Sequence, residues 1–382
     1  MMTVGVRTET IQDETRVVLT PDGVGSLVGP GCSVIVQKGA GTRAHFCDAD
    51  YEAVGAKIVD SEEQLLSESR VVLQVNGPAD GGPTCPGYAR GTVLVSFLWP
   101  AANPKTIKTL ADKHVTTLAL DLVPRITRAQ SMDALSSMST VAGYRAALIA
   151  AENLPRFFPM LMTAAGTLPP ARILVIGAGV AGLQAIATCK RLGAVVEAFD
   201  VRPAVKEQIE SLGAKFIGLS LLSDEAEDSG GYAKEVSNDT HAKELDLIAS
   251  RLKNIDCVIS TALIPGKKAP TLLTVDMLAT MKPGSVVVDL AAPAGGNCEA
   301  TLPGQVIVKH GVTVFGKTDL VAGLSRDASV MLSKNVVAFL TNMMSPDGLN
   351  LHKDDEIVKS TLVTLDGKIV LDTVRLAVEG RG

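Results

Sequence analysis

The sequence predicts an α/β protein of two doubly wound domains, each built on a parallel sheet covered by helices. Short apolar runs alternate with helical patterns along almost the whole chain, which is the rhythm of strand-helix-strand units. The 382 residues exceed one ordinary core, because domains usually span about 100 to 200 residues. Hydrophobic residues make up 46% of the chain, enough to fill two large interiors.

Taken in order, strands are expected at residues 4–6, 33–36, 71–75, 92–97 and 115–120, with a helix at 104–113 among them. A long helix at 139–158 follows, in a position to bridge two domains. A second set of strands begins at 173 and continues at 195–199, 215–217, 255–260, 285–290 and 312–315. A helix at 327–343 then packs back on the first domain. The expected domains are therefore 1–138 with 329–382, and 139–328. Near the end, residues 361–365 and 368–371 flank Asp366-Gly367, a two-residue hairpin signal.

Residues 171–200, ARILVIGAGVAGLQAIATCKRLGAVVEAFD, join a strand, a glycine turn, a helix and a second strand ending in an acid. Gly177, Gly179 and Gly182 have the G-x-G-x-x-G spacing, with Ala178 and Val180 between them. The first glycine permits a tight turn, the second lets the backbone approach a pyrophosphate, and the third lets the helix pack closely on the strand. The helix N-terminus adds unpaired N–H groups and positive dipole. Asp200 stands where an acid would bind the adenosine ribose, followed by Val201 and Arg202. The unit predicts a dinucleotide site in a Rossmann-like domain, with the cofactor in the interdomain cleft. The acid favours NAD over NADP, and Arg202 softens that preference.

Composition excludes several other classes. The 36 basic and 41 acidic residues leave a net charge of −5, and no basic block marks a nucleic-acid track. Cys32, Cys47, Cys85, Cys189, Cys257 and Cys298 are scattered without C-x-x-C pairs, which suggests reduced thiols and no metal cluster. The polar first 14 residues carry three acids and fit neither a signal nor a transit peptide. Residues 171–189 are apolar enough to suggest a membrane span, but Arg172, Gln184 and the glycines split them into strand and helix. Residues 221–241 are acidic and contain Gly230-Gly231, so a solvated loop and a mobile lid with Tyr232 as its contact residue both stand open.

Several motifs resemble one family across nearly the whole length. ETRVVLTP at 14–21, PRITRAQSMDALSS at 124–137, AGYRA at 142–146, the glycine turn, GGYAKE at 230–235, TALIPGKKAP at 261–270 and GGNCE at 295–299 carry the likeness. The chain resembles the NAD(H)-binding component of proton-translocating nicotinamide nucleotide transhydrogenase, and more distantly alanine dehydrogenase. The resemblance implies that Arg125, Gln130, Asp133 and Ser136 orient the nicotinamide. It also implies that Gly231 and Tyr232 belong to a lid over the nucleotide, and that Thr261, Ala262 and Leu263 line the cofactor cleft. Without the resemblance, 124–137 also reads as a polar capping loop leading into the bridging helix.

A dehydrogenase acting on a carbon substrate must move a proton with its hydride, so it needs a positioned acid or base. Where alanine dehydrogenases place a lysine and a histidine, this chain has Gln74 or Asn76 and Trp99. Trp99 is expected in the core, Arg16 in a structural ion pair, and His45, His114, His241, His310 and His352 at the surface or in loops. Hydride transfer between two nicotinamide rings needs no acid-base group, only rings held about 3 to 3.5 Å apart. The resemblance thus implies an NAD(P) transhydrogenase of the Si-specific/Re-specific proton-translocating type, active only with partner domains. NAD(H) would bind here and NADP(H) on a partner domain, with a membrane-spanning proton channel component beside them. It also implies a homodimer peripheral to the membrane, on the cytoplasmic face or the matrix face of an organelle. An amino acid dehydrogenase, a non-enzymatic NAD sensor and a stand-alone nicotinamide enzyme are the alternatives.

Overall fold

Runs of Val, Ile and Leu that periodicity alone assigns to strands become the central rungs of two sheets. The structure, a computed structural model, describes residues 2–29, 31–80, 85–218, 238–263, 268–345, 348–351 and 354–378. The chain divides into one unit made of Met1–Met138 with Ala322–Gly382 and another made of Ser139–Val321.

The first unit opens with β1 (Met2–Val6), β2 (Cys32–Gln37), β3 (Lys57–Val59), β4 (Val71–Asn76), β5 (Val93–Phe97) and β6 (Thr116–Ala119). Beyond it a short antiparallel hairpin pairs β7 (Leu161–Thr163) with β8 (Gly166–Leu168). The second unit carries β9 (Arg172–Ile176), β10 (Val195–Phe199), β11 (Lys215–Ile217), β12 (Cys257–Ser260), β13 (Val286–Asp289), β14 (Val306–Lys309) and β15 (Val312–Phe315). The chain then returns to the first unit with the pair β16 (Met344–Ser345) and β17 (Gly348–Leu349), followed by β18 (Leu362–Leu365) and β19 (Lys368–Ile369).

The first sheet runs β19-β18-β6-β5-β4-β1-β2-β3 and the second β11-β10-β9-β12-β13-β15-β14. Both are parallel in their interior and antiparallel at one edge. The hairpins β18–β19 and β14–β15 at these edges each close on a two-residue turn whose residues both take positive φ: Asp366 at 50° and Gly367 at 81°, His310 at 52° and Gly311 at 76°. Such a turn matches strand twist and returns the chain beside itself. The sequence motif announced the first of these hairpins; β14, β3 and the β7–β8 hairpin are short and went unpredicted.

Alternation along β9 shows how the second interior forms. Ile173 and Val175 bury against one helical layer with Ala146, Ala150 and Ile186. Leu174 and Ile176 bury against the opposite layer with Ile248, Leu252 and Leu278. Each such side chain contributes roughly 1.5–3 kcal/mol when fully buried, so a strand buried on both faces needs an unbroken apolar run. The bridging helix spans Ala134–Asn153, five residues earlier than its pattern suggested. Asp133 caps its start through the Ser136 N–H at 2.8 Å, and Pro155 stands just past its end.

The Ser325–Met343 helix lies in the first unit, against residues 15–28. Its Ser329 and Ser333 hydroxyls accept from the Val17 and Thr20 N–H groups at 3.0 and 3.1 Å. Among the described residues no helix is long and apolar enough to cross a membrane.

Candidate functional site

In the second sheet the chain leaves β9 toward β10 and β11, then comes back to β12 on the other side. This order is that of a dinucleotide-binding sheet, and ligands of such sheets sit beyond the carboxyl ends of the strands at the reversal. Register places Phe199, Ile176 and Ser260 side by side. The next residues along the three strands, Asp200, Gly177 and Thr261, therefore share one rim. The Gly177 N–H donates to Phe199 O and the Thr261 N–H to Ile176 O, both at 2.8 Å.

The glycine turn leads into the helix Val180–Arg191. A Cβ at Gly182 would stand 1.9 Å from Gly177 O, so helix and strand approach more closely than any other residue permits. At Gly179 the situation is reversed. Its φ of −73° and ψ of −169° are extended, and a Cβ there would meet no atom of the described residues, its chain neighbours aside, within 4 Å. Among the described residues neither backbone strain nor packing accounts for that glycine.

Asp200 is buried and its carboxylate faces four donors. Oδ1 accepts from the Arg202 N–H at 2.8 Å and from Arg202 Nε at 2.9 Å. Oδ2 accepts from the Ala178 N–H at 2.7 Å and from Arg202 Nη2 at 2.9 Å. A carboxylate has about four lone-pair sites, so these donors match its capacity. Arg202, expected as a modifier of cofactor preference, is the ion-pair partner of the acid itself, and the acid holds the glycine turn through Ala178. Val201 lies partly exposed and Val180 exposed at this rim. Gly231, Tyr232 and the rest of 219–237, where a lid is one expectation, lie outside the described residues, as does His352.

The 261–263 loop closes the other side of the rim. Thr261 Oγ1 donates to Gly177 O at 2.9 Å. The Ala262 N–H donates to Asn297 Oδ1 at 3.1 Å, and Asn297 Nδ2 donates back to Ala262 O at 2.9 Å. Leu263 is exposed. Asn297 and its neighbour Asp289 carry no motif that sequence reasoning assigned to the site. Burial raises the Asp289 carboxyl above its ordinary value despite the donors from Thr301, Cys298, Ala291 and Asn297 that face it.

In the first unit, Arg125, Gln130, Asp133 and Ser136 fall on the segment that follows β6. Arg125 and Gln130 are exposed. Asp133 accepts from the Ser136 N–H and, at 2.6 Å, from the Ser136 hydroxyl. Two of the four residues thus meet in a helix cap, the local arrangement that the sequence offers without any resemblance.

The reversal of the first sheet lies between β1 and β4, and its rim is filled by the chain itself. Arg16 Nε and Nη2 grip the Glu14 carboxylate, at 2.7 Å for Nε, and Asn76 Nδ2 adds a donor at 2.7 Å. Arg16 is therefore in an ion pair. Burial alone would raise the Glu14 carboxyl, but the hydrogen bonds and charge of Arg16 hold it below the usual range. Gln74 is buried and donates to Asn76 O at 2.6 Å. Glu9, which sequence reasoning missed, accepts from the Val75 and Asn76 N–H groups. Burial lifts its pKa from 4.5 to about 7.

Trp99 is not in the core. It is 49% exposed, has a φ of 46° and stacks on Phe97 at 6.1 Å between ring centroids. The Asp121 carboxylate holds its N–H and that of Leu98, the latter at 2.7 Å, which fixes a backbone turned outward at the strand end. His45, His114 and His310 also take positive φ in turns, and His241 lies partly exposed on the helix Asn238–Leu252. Among the described residues no group of His, Cys, Asp and Glu gathers as a metal site requires.

Models of the alanine dehydrogenase/PNT N-terminal and C-terminal domains match residues 5–142 and 146–372. The chain belongs to the alanine dehydrogenase/PNT family. Within it, the chain is 47% identical to an NAD(P) transhydrogenase subunit alpha chain of Rhodospirillum rubrum, covering 97% of this chain and 98% of that one. It is 29% identical to alanine dehydrogenase of Mycolicibacterium smegmatis over 98% and 96% of the two chains. A solved structure of transhydrogenase from Sinorhizobium meliloti superposes with a TM-score of 0.86 at 42% identity, covering 96% of this chain and all of that one. An L-alanine dehydrogenase structure shares the fold, with a TM-score of 0.81 at 24% identity. The motif likeness to transhydrogenase, with alanine dehydrogenase as the more distant relative, is borne out.

Proposed function

We propose that the chain is the NAD(H)-binding component of a proton-translocating NAD(P) transhydrogenase. Gly179 carries this reading: a glycine that neither φ nor internal packing requires, at the mouth of a helix in a dinucleotide-ordered sheet, is explained by a ligand's close approach. Gly177, Ala178, Gly179, Val180 and Gly182 then bind pyrophosphate. Asp200, Val201 and Arg202 bind the adenosine ribose, with Arg202 yielding some of its hold on the carboxylate. Thr261, Ala262 and Leu263 line the cofactor cleft, and Gly231 and Tyr232 belong to the lid.

Arg125, Gln130, Asp133 and Ser136 orient the nicotinamide for direct hydride transfer to NADP+ bound by a partner domain. A membrane-spanning component couples that transfer to proton movement, with this chain peripheral to it on the cytoplasmic or matrix face. When bound, NADH supplies the hydride; the chain has only to bind it, orient it and exclude water. The filled first rim supports the same reading against a carbon-substrate dehydrogenase. Arg16 is occupied by Glu14, Gln74 and Asn76 cannot exchange protons, and Glu9 is buried with its oxygens on backbone N–H groups. A homodimer belongs to the proposal too, supported by the apolar surface that Phe157, Met160, Met162 and Leu168 expose at and beside the β7–β8 hairpin.

The test is reduction of an NAD analogue by NADPH, with the purified chain alone and with an NADP-binding partner component. Activity only in the mixture is expected. No transfer in the mixture, with both nucleotides shown to be bound, would overturn the reading.

A further inference from the structure

Asn297 lies within the GGNCE motif and is fully buried, yet every polar group of its side chain is used. Oδ1 accepts from the Ser260 hydroxyl at 2.7 Å and from the Ala262 N–H at 3.1 Å. Nδ2 donates to Ala262 O at 2.9 Å and to Pro270 O at 2.8 Å. The amide thus gives Ala262 the donor and acceptor that a neighbouring strand would supply, just where β12 has ended.

The turn that delivers Asn297 is itself held from below. Asp289 Oδ2 accepts from the Asn297 N–H at 2.8 Å, the Cys298 N–H at 3.0 Å and the Thr301 hydroxyl at 2.6 Å. Gly296 lies so close, with a φ of 82°, that a Cβ would stand 2.8 Å from Asp289 Oδ2. Above, the loop it secures rests on the glycine turn. A Cβ on Gly177 would meet Thr261 Oγ1 at 2.9 Å and Ala262 N at 3.1 Å.

We infer that Asn297 is a positioning residue for the dinucleotide, setting the 261–263 loop against the glycine turn through paired hydrogen bonds to Ala262. The inference rests on the proposal that NAD(H) occupies this rim. Asn297 does not reach the ligand. It fixes the Ala262 peptide, so that the loop is ordered before NADH arrives and little ordering is left for binding to supply. Asp289, Gly296 and Thr301 serve the same end by fixing Asn297.

Two variants test it in the forward direction of transhydrogenation, from NADH to NADP+ on the NADP-binding partner. Asn297→Asp keeps the size and the accepting oxygen but turns a carboxylate oxygen toward two carbonyls. Ser260→Ala removes one hydroxyl from Oδ1 and leaves the rest of the network in place. The KM for NADH should rise about 10-fold or more in Asn297→Asp and about threefold in Ser260→Ala. The KM for the partner's NADP+ and the kcat at saturating NADH should stay near wild type. A role in folding alone lowers the active fraction, hence kcat, at unchanged KM. That pattern, or wild-type KM for NADH in whichever variants fold, would overturn the inference. If the wild-type chain takes up no NADH in a fluorescence titration, the functional proposal falls and this inference with it. If the wild type binds and the variants match it, only the inference falls.

Discussion

Replacing Gly179 by alanine separates the needs of the protein from those of its ligand. The backbone there, φ −73° and ψ −169°, is open to any residue, and among the described residues the added methyl meets no atom beyond its chain neighbours within 4 Å. Removing a glycine at a compatible site stabilises by roughly 0.4–1 kcal/mol, because the unfolded chain loses freedom. The unfolding midpoint should therefore hold or rise slightly. A pyrophosphate resting on this turn would be pushed away by the methyl and would lose one or two charge-assisted hydrogen bonds to the helix N-terminus. At roughly 1.5–3 kcal/mol each, the loss of even one weakens NADH binding about 10- to 100-fold.

Gly182→Ala provides the contrast. Its methyl would stand 1.9 Å from Gly177 O and 3.2 Å from Thr261 Oγ1, so the helix must retreat by more than an ångström. Overpacking of this kind costs about 1–3 kcal/mol of stability. Thermal melts without nucleotide, paired with NADH fluorescence titrations, read both quantities. Wild-type NADH affinity in Gly179→Ala would refute the close approach. A stability loss in Gly179→Ala as large as that in Gly182→Ala would refute the claim that packing does not need the glycine.

Glu9 makes stability depend on pH. Its pKa is about 7 in the folded chain against 4.5 unfolded, so the native state binds more protons between those values. The Glu9 contribution to stability is most favourable below about pH 4.5 and falls by roughly 3 kcal/mol as pH rises toward 7. Urea midpoints at pH 5 and pH 8 should differ less in Glu9→Gln than in the wild type, and equal differences would remove Glu9 as the cause. Gln130→Ala should slow hydride transfer about 10- to 100-fold while leaving NADH affinity nearly intact; parallel loss of both in rapid-mixing and titration experiments would remove its role in orienting the ring. Met162 is 79% exposed on β7. Met162→Lys should cost a twofold-symmetric dimer roughly 3 to 6 kcal/mol, giving a single-chain mass by light scattering. A wild-type chain already monomeric at the same concentration would contradict the dimer.

Much of the architecture was legible because it is local. Alternating short apolar runs, the glycine spacing at 177–182 and the Asp366-Gly367 turn each act through neighbouring residues, and periodicity and backbone preference report them directly. The same locality explains the errors. The long helix begins at Ala134 because Asp133 caps it, a signal lying outside the apolar pattern. Trp99 was assigned to the core on residue type, whereas its exposure follows from where β5 ends and from Asp121, 22 positions away.

The sequence by itself determined the fold class, the family likeness and the presence of a glycine turn between strand and helix, since these depend on pattern and on residues adjacent in the chain. Only the tertiary structure decided which polar groups are already satisfied. It is sheet order that brings Glu14 and Asn76 together across 62 positions, and Asn297 to Ala262 across 35. Such pairings depend on which strands lie side by side, and no local pattern encodes that. They fill one strand-end rim with the chain's own side chains and give the other a loop secured against the glycine turn at Gly177.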